Sequence, residues 1–397
     1  MTRKLVSVRQ VSHLEPLVSS ASLLLADVDG WKCVMKKGTA EVGDHVVYFE
    51  IDSFLPAAED RFASLGQLNT YNGKLATRDG RFGFHVKSIK HDGVLSQGFI
   101  MPLDRFPEIT SVIAELRENN THEEAMQKVM GMNFEDKLNV FKMEPAAAAR
   151  IQPSENSFGP CPSFFPKTDI KRVQNCPNLF TAKYKDAVYQ ETVKMNGCAE
   201  TVYFICRDSP LYATLPPLEG RADMPEGRIG VCTRKRDLTD KPGCLFWGAA
   251  IYYELPEKLA ALGKSLAIQG ELCGSTICQN REGFPEGKHD FYVYRIFDID
   301  AQEALGPVET EEMAEKLELR HVPVNSYCRL HDIAASNADL LQRAEGVGSL
   351  WKAAGGSCVQ EREGRSQFQG DLQRIPRWKR GVEVEVGRAS NRPLLCK

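Results

Sequence analysis

The sequence predicts an α+β protein in which a small N-terminal β-barrel is followed by a larger mixed domain. Residues 1–105 contain short alternating strands punctuated by glycines, a pattern typical of small barrels. Residues 106–143 have helical spacing and few breakers. From residue 163 to about residue 350, strands rich in β-branched and aromatic residues alternate with helical stretches. The length of 397 residues favours more than one domain.

The composition is that of an ordinary globular protein, and it limits the kinds of partner. Hydrophobic residues make up 42% of the chain, charged residues make up 26%, and the formal net charge is −3. This balance excludes a globally basic protein, so any surface for nucleic acid has to be local. No apolar run approaches the ~20 residues that span a bilayer, and residues 1–10 lack the apolar core of a signal peptide. We therefore expect an intracellular protein, cytoplasmic or nuclear, that contacts no membrane.

The cysteine pattern points to the same compartments. The 12 cysteines are scattered, without a Cys-x-x-Cys pair or a Cys/His cluster at the spacing of zinc ligands. This favours reduced thiols in a cytosolic or nuclear protein. A disulfide framework or a structural zinc site is the alternative.

Alternation of apolar and polar residues defines the N-terminal strands. Residues 31–37 alternate, residues 44–51 follow two glycines, and residues 82–90 alternate again. Arg81, Lys87 and Lys90 lie along the last of these stretches, beside aromatic residues. Basic side chains interleaved with rings suit a nucleic-acid strand. The alternative is a solvated barrel face over core phenylalanines.

Helices and a linker are predicted to connect the barrel to the mixed domain. Residues 111–117 and 122–130 have helical spacing, and residues 145–162 are rich in Ala, Pro and Ser. These boundaries give a barrel at 1–105, a helical connector and linker at 106–162, and the mixed domain at 163–350.

The stretch around Lys194 is the centre of the predicted site. Thr192 and Val193 precede it, and a β-branched and aromatic run follows from residue 201, so strands are predicted on both sides. Asn196 and Gly197 between them form a turn pair that tolerates positive φ. A lysine at the end of such a strand is expected to point out of the sheet pair into a groove. It becomes a nucleophile once it loses its proton. The alternative is an exposed strand lysine beside a hairpin turn.

Three more residues complete a constellation with Lys194. Arg234 ends a second strand, Glu271 interrupts an apolar strand, and Tyr294 lies on a fourth strand. A nucleoside triphosphate is typically bound by a cation that contacts phosphate, an acid that contacts ribose or metal, and a ring that stacks on the base. Taken singly, Arg234 also fits a surface charge, Glu271 a salt-bridged strand residue and Tyr294 a core ring.

Four blocks carry a resemblance to a known family: Lys194-Met-Asn-Gly197, Val231-Cys-Thr-Arg234, Gln269-Gly-Glu-Leu-Cys-Gly274 and Phe291-Tyr-Val-Tyr294. In order, they resemble the nucleotidyltransferase motifs of ATP-dependent RNA ligases. Residues 42–56 and 166–175 resemble signatures of the Deinococcus-type ligases and their fungal relatives. The resemblance implies an N-terminal OB-fold-like nucleic-acid-binding module at 1–105. It also implies an ATP-grasp-like RNA/DNA ligase adenylation domain of antiparallel sheets with flanking helices at 163–350.

The resemblance also implies a reaction and its residues. Lys194 would carry AMP as a phosphoramide, and the AMP would pass to an RNA 5′-phosphate before a 3′-hydroxyl displaces it. The implied ATP-binding residues are Thr192, Val193, Asn196, Gly197, Arg234, Glu271 and Tyr294. Glu271 and Glu363 are the implied ligands of Mg²⁺ or Mn²⁺. The implied partners are RNA ends in a nicked or bridged duplex, and we expect a monomer.

The chain departs from the family pattern at two places. Asn196 stands where the family commonly has Asp. In the fourth motif, Glu363 is followed by Phe368 at the position of the family's lysine, and the lysine of the fifth motif is absent. We interpret 351–397 as a degenerate, disordered end of the same domain. Because family-like residues resume at 390–397, a gene-model error over 365–389 is one hypothesis, and sequencing the transcript decides it.

Two other functions are therefore considered beside the ligase. Without the late lysines, the transition-state charge would be poorly stabilised, which favours a catalytically weak or inactive relative that binds ATP or nucleic acid. A capping guanylyltransferase or a DNA ligase is the other rival. Those enzymes usually place the OB fold after the lysine domain, whereas the predicted barrel precedes it here.

Overall fold

The computed structural model describes residues 4–18, 20–63, 65, 72–91, 93–143, 153–167, 171–176, 179–215, 223–344 and 383–384. The chain forms two compact units. The first unit comprises Met1–Ala149, Lys171–Thr181 and Ala334–Glu383, and the second comprises Arg150–Ile170, Ala182–Ile333 and Val384–Lys397.

The described residues form the following strands and helices. The strands are β1 (Val6–Leu17), β2 (Ser20–Val28), β3 (Trp31–Lys36), β4 (His45–Glu50), β5 (Ser53–Pro56), β6 (Gly73–Arg78), β7 (Arg81–Val86), β8 (Ile89–His91), β9 (Val94–Ser96), β10 (Gly98–Pro102), β11 (Phe141–Lys142), β12 (Ser157–Pro160), β13 (Lys171–Arg172), β14 (Val188–Thr192), β15 (Cys198–Cys206), β16 (Gly227–Thr233), β17 (Arg236–Leu238), β18 (Leu266–Gly274), β19 (His289–Asp298), β20 (Glu303–Ala304), β21 (Arg320–His321), β22 (Val324–Arg329) and β23 (Glu383–Val384). The helices are α1 (Asp60–Ala63), α2 (Pro107–Arg117), α3 (His122–Met130), α4 (Leu245–Tyr252), α5 (Leu255–Leu262), α6 (Pro307–Lys316) and α7 (Leu330–Ile333).

The first unit is built on two antiparallel sheets. One has the order β10-β4-β1-β2-β3 and the other the order β11-β5-β7-β6. Alternation along β1 and β4 places Val8, Val47 and Phe49 in a core that also contains Ile109 of α2 and Val129 of α3. The helices of the predicted connector therefore cover the apolar face of these strands.

Helix α3 begins at a capping box. The Thr121 side chain accepts a hydrogen bond from the Glu124 N–H, and the Glu124 carboxylate accepts from the Thr121 N–H. This reciprocal pair satisfies two N–H groups that a helix leaves without intrahelical partners. The cap fixes the start of the helix at His122.

The second unit is built on a larger sheet with the order β12-β17-β16-β15-β18-β19-β20, and β21 runs parallel to β19. Alternation in β15 turns Val202 and Phe204 toward a core shared with Trp247 of α4. Tyr203 and Ile205 face the opposite side, in a second core. Burial on both faces explains why the central strands have continuous apolar runs.

The architecture is α+β with predominantly antiparallel strands, as the sequence predicts. Among the helices of the described residues, none has the length and apolar character needed to cross a membrane. The predictions that concern Glu363, Phe368 and most of residues 351–397 lie outside the described residues.

Candidate active site

The large sheet of the second unit positions two predicted site residues, Glu271 on a paired strand and Arg234 just after the end of another. Ala199 of β15 pairs with Glu271 of β18, and Glu271 pairs with Tyr292 of β19. On the other side of β15, Glu200 pairs with Thr233, the last residue of β16, and Arg234 follows it. Because directly paired residues of antiparallel strands project to the same face, Glu271 stands on the sheet face of Ala199, and Arg234 lies exposed at the adjacent strand end.

The Lys194 segment connects two different sheets. Strand β14 pairs with β22 in a two-stranded sheet, whereas β15 is a central strand of the large sheet. The prediction that Lys194 ends one strand of a strand pair was therefore wrong, because the strands on its two sides do not pair with each other. The chain leaves one sheet at Thr192 and enters the other at Cys198. Local propensity predicts strands, but partners distant in sequence decide which strands pair.

The connecting segment is fixed by its neighbours on either side of Lys194. The Val193 N–H donates to the Pro323 carbonyl oxygen at 2.9 Å. Met195 is 6% exposed and belongs to an apolar cluster against which Val193 packs. Alternation between these two anchors leaves the Lys194 residue exposed.

Two carboxylates accept hydrogen bonds from the turn that follows Lys194. The Asn196 N–H donates to Glu282 Oε1 at 2.7 Å, and the Gly197 N–H donates to Glu271 Oε1 at 3.3 Å. The second bond ties the Lys194 segment directly to β18. It brings two predicted site residues, Lys194 and Glu271, into one local structure.

Gly197 is required for a different reason from the one the sequence suggests. Asn196 and Gly197 tolerate a positive φ, but neither adopts one. A Cβ at Gly197 would lie 2.2 Å from the Leu272 carbonyl oxygen and 2.8 Å from Cys273 Sγ. The glycine allows the backbone to approach β18 closely.

Tyr294 occupies a β-bulge in β19. Gln269 pairs with Arg295 and Gly270 pairs with Val293, so Tyr294 is the extra residue between them. It is partly buried and packs against the same cluster that contains Met195. The ring thus lies with the residues that flank Lys194. The prediction that it contacts a base remains a prediction.

Thr192 is a further predicted nucleotide-binding residue, and Glu271 and Glu363 are the predicted metal ligands. Thr192 is exposed at the end of β14, where it pairs with Val324. Within the described ranges, no group of three or more His, Cys, Asp or Glu side chains is arranged to hold a metal ion. Glu271 supplies hard oxygen atoms of the kind that Mg²⁺ and Mn²⁺ prefer, whereas Glu363 lies outside the described residues.

The sequence reasoning missed two polar residues next to this site. Gln269 lies two residues before Glu271 on the same face of β18, is 1% exposed, and donates from Nε2 to the Pro166 carbonyl oxygen at 2.9 Å. Strand periodicity was the signal that could have identified it. Glu282 comes from an irregular segment after β18, and no periodic pattern relates such a residue to Asn196.

A buried acid, Asp237, lies on β17, the strand that follows Arg234. The Tyr203 hydroxyl donates to Asp237 Oδ2 at 2.9 Å, and the Cys232 thiol lies 3.6 Å from Asp237 Oδ1. Asp237 is 3% exposed. Burial raises the pKa of Asp237 to about 6, although the Tyr203 hydrogen bond and the charge of Arg228 act in the opposite direction.

The candidate nucleic-acid residues lie in the first unit on separate elements. Arg81 begins β7, Lys87 follows β7, and Lys90 is the central residue of β8. Arg81 and Lys90 are exposed. The guanidinium of Arg81 lies 5.8 Å from the centroid of the Phe141 ring. Of the neighbouring rings, Phe82 is 53% exposed and Phe84 is a core residue at 2%.

Comparisons with known proteins agree with this fold. A family model described as RNA ligase matches residues 187–364, and a model described as an OB-fold domain matches residues 5–103. No curated protein sequence gives a significant match.

Solved structures of Naegleria gruberi RNA ligase match most of the chain. A variant with AMP and Mn is 30% identical over 86% of this chain and 88% of that chain, with a TM-score of 0.56. The ligase with PPi is 30% identical over 86% and 88% of the two chains, with a TM-score of 0.54. A variant with ATP and Mn is 30% identical over 86% and 87%, with a TM-score of 0.53.

The fold and the matches define an α+β protein with an N-terminal OB-fold half-barrel and the nucleotidyltransferase fold of an RNA ligase. The predicted fold class is confirmed. This chain belongs to the RNA ligase family.

Proposed function

We propose that the protein is an ATP-dependent RNA ligase that joins RNA 3′-hydroxyl and 5′-phosphate ends through a lysyl-AMP intermediate. The observation that carries the proposal is the hydrogen bond from the Gly197 N–H to Glu271 Oε1 at 3.3 Å. It holds the Lys194 segment against the strand that carries the acidic motif residue. The packing of Tyr294 with the neighbours of Lys194 supports the same assignment.

The reaction consists of three phosphoryl transfers. The uncharged Lys194 amine attacks the α-phosphorus of ATP, and the bond to the leaving pyrophosphate breaks. An oxygen of the RNA 5′-phosphate then attacks the phosphorus of the lysyl-AMP, and the amine leaves and regains its proton. Finally, the RNA 3′-hydroxyl loses its proton, attacks the activated 5′-phosphorus and expels AMP. Positioning and charge neutralisation dominate such transfers.

The site residues divide this work. Arg234 binds ribose or phosphate, Glu271 binds the ribose hydroxyls or the metal shell, and Tyr294 stacks on adenine. Thr192, Val193, Asn196 and Gly197 shape the ATP pocket around the nucleophile. A bound Mg²⁺ or Mn²⁺ would supply neutralisation of the developing pyrophosphate charge, with Glu271 and Glu363 as its protein ligands. A small number of protein ligands is sufficient for Mg²⁺, because this ion is commonly held by one or two carboxylates together with substrate phosphates.

The first unit is the proposed RNA-binding module. Arg81, Lys87 and Lys90 contact phosphates, which gives affinity with little sequence preference. The substrate is a pair of RNA ends in a nicked or bridged duplex. We place the protein with the Deinococcus-type RNA ligases and their fungal relatives, as an intracellular monomer in the cytoplasm or nucleus.

The residues at the fourth and fifth motifs favour a second candidate function. Phe368 stands at the lysine position of the fourth motif, and Glu385, Val386 and Gly387 stand where the fifth motif has its lysine. A site without these cations binds ATP or nucleic acid but transfers phosphoryl groups slowly. The chain would then be a catalytically weak relative.

Incubation of the protein with α-labelled ATP and Mg²⁺ or Mn²⁺ distinguishes the two functions. We expect label on the denatured chain, its loss in Lys194→Ala and its retention in the matched control Lys264→Ala, which removes another exposed lysine of the same unit. An unlabelled wild-type chain that still binds RNA would contradict the ligase and support the binding relative. Labelled GTP in a parallel reaction tests the capping alternative.

A further inference from the structure

The connection between β18 and β19 contains three consecutive residues in a strained backbone conformation. Residues 275–288 join these two strands, and Cys278, Gln279 and Asn280 have φ angles of 48°, 61° and 49°. Residues with a side chain adopt such left-handed values one at a time, because the Cβ atom crowds the following carbonyl oxygen. This strain persists where the surrounding structure holds it, and it is concentrated at functional sites.

Hydrogen bonds within the β18–β19 connection hold this conformation. Asn280 Nδ2 donates to the Phe284 carbonyl oxygen at 2.8 Å, and the Phe284 N–H donates to Asn280 Oδ1 at 2.7 Å. The Gly283 N–H donates to the Asn280 carbonyl oxygen at 3.1 Å. At the base of the connection, the Ser275 N–H donates to the Lys288 carbonyl oxygen at 2.9 Å. These bonds make the connection a fixed support for whatever it contacts.

Two side chains of the connection hydrogen-bond to the turn that follows Lys194. The Asn196 N–H donates to Glu282 Oε1 at 2.7 Å, and the Cys278 thiol donates to the Gly197 carbonyl oxygen at 3.1 Å. A hydrogen bond to a carboxylate is roughly twice as strong as one between neutral groups, and 2.7 Å is at the short end of the usual range. Glu282 therefore makes the stronger contact, two residues after Lys194.

An apolar contact joins the connection to the same segment. Phe284 packs against the cluster that contains Met195, and Val193 packs against this cluster as well. On the other side of Lys194, the Val193 N–H donates to the Pro323 carbonyl oxygen at 2.9 Å. The backbone is thus held before and after Lys194, and the connection supplies the support that comes after it.

Glu271 holds the same turn with a longer bond. Its Oε1 accepts from the Gly197 N–H at 3.3 Å, and the proposed function also uses this carboxylate for the ribose hydroxyls or the metal shell. Glu282 has no ligand in the proposed function, so its carboxylate is available to the turn when the nucleotide is bound.

We propose that Glu282 is a positioning residue that holds Lys194 in line with the α-phosphorus of ATP. Loss of its acceptor oxygen frees the Asn196 N–H and allows the turn to move. A misplacement on the scale of an ångström at a reacting group costs up to about 100-fold in rate. Arg234 and Tyr294, which are proposed to bind the nucleotide, lie on other elements. The loss therefore falls on the maximal rate of adenylylation and leaves the ATP requirement unchanged. The chemical step rests on the proposed function, whereas the hydrogen bond does not.

Single-turnover adenylylation of the full-length protein, measured with α-labelled ATP and Mn²⁺ over a range of ATP concentrations, tests the proposal. In Glu282→Ala, the maximal rate should fall by about 10- to 100-fold, and the half-saturating ATP concentration should stay within about twofold of wild type. Glu282→Gln keeps an acceptor oxygen at the same length and should recover most of the rate. Glu282→Asp keeps the charge on a shorter side chain and should remain slow. The matched control Glu286→Ala removes an exposed acid of the same connection and should behave as wild type.

Hydrogen–deuterium exchange gives a second readout that does not need catalysis. The Asn196 N–H should exchange about tenfold faster in Glu282→Ala, because a backbone N–H loses protection when its acceptor is removed. Glu286→Ala should leave this exchange rate unchanged.

The outcomes separate the positioning role from the proposed function. A Glu282→Ala protein that adenylylates at the wild-type rate, or that only requires more ATP, overturns the proposal. An active Glu282→Asp beside a slow Glu282→Gln also overturns it, because charge rather than position would then matter. If Glu282→Ala fails to fold, Glu282→Gln and Glu282→Asp decide the matter. A wild-type protein that never adenylylates refutes the proposed function, and amide exchange alone then decides whether Glu282 holds the turn.

Discussion

Replacement of Gly197 by Ala tests the packing that holds the Lys194 segment on the sheet. The new Cβ would lie 2.2 Å from the Leu272 carbonyl oxygen, which is 1.2 Å short of ordinary contact at 3.4 Å. Because the obstructing atom belongs to the backbone of β18, a side-chain rotation cannot relieve the contact. The segment has to move away, and the Gly197 N–H to Glu271 bond, already 3.3 Å long, should break.

The expected cost is measurable in two ways. Overpacking of this kind destabilises proteins by about 1–3 kcal/mol, and a displaced nucleophile loses up to about 100-fold in rate. Single-turnover adenylylation of Lys194 with α-labelled ATP measures the rate, and urea unfolding measures the stability. The matched control is Gly248→Ala in α4, where a Cβ meets nothing within 4 Å. Wild-type adenylylation by Gly197→Ala would refute the reasoning.

Three further changes have expected outcomes. Asp237→Asn should flatten the pH dependence of the unfolding free energy, measured with urea between pH 3 and pH 8. In wild type, the pKa of Asp237 is raised to about 6 in the folded protein, so the neutral carboxyl stabilises the fold below the unfolded pKa. Up to about 3 kcal/mol of this stabilisation is lost as the pH rises above the folded pKa. Equal pH profiles for the variant and the wild type would contradict this direction. Thr121→Ala should lose about 1 kcal/mol of unfolding free energy because the capping box is removed, and a variant as stable as wild type would contradict the role of the cap. Replacement of Arg81, Lys87 and Lys90 by Ala should weaken RNA binding. It should also reduce the slope of the logarithm of the binding constant against the logarithm of the salt concentration by about one per lost phosphate contact. Fluorescence anisotropy at several salt concentrations measures the affinity and the slope, and an unchanged slope would reject this interface.

Two of the candidate site residues, Glu271 and Tyr294, lie on strands that the sequence predicts. Glu271 interrupts an apolar strand that is buried along nearly its whole length, so its exception to the pattern was visible in the sequence. Tyr294 was correctly placed on a strand, but its position in a bulge depends on the register between β18 and β19. Glu282 was not predictable, because it reaches Asn196 from an irregular segment distant in sequence.

The sequence by itself determined the α+β class and the order of an N-terminal barrel before a mixed domain, and it supplied the prediction that Lys194, Arg234, Glu271 and Tyr294 are site residues. Local propensity and side-chain periodicity are properties of neighbouring residues, so they can be read along the chain. Only the tertiary structure decided that the strands flanking Lys194 belong to different sheets and that Gly197 is needed for close approach to β18. Strand pairing and packing depend on partners far along the chain, and no local pattern specifies them.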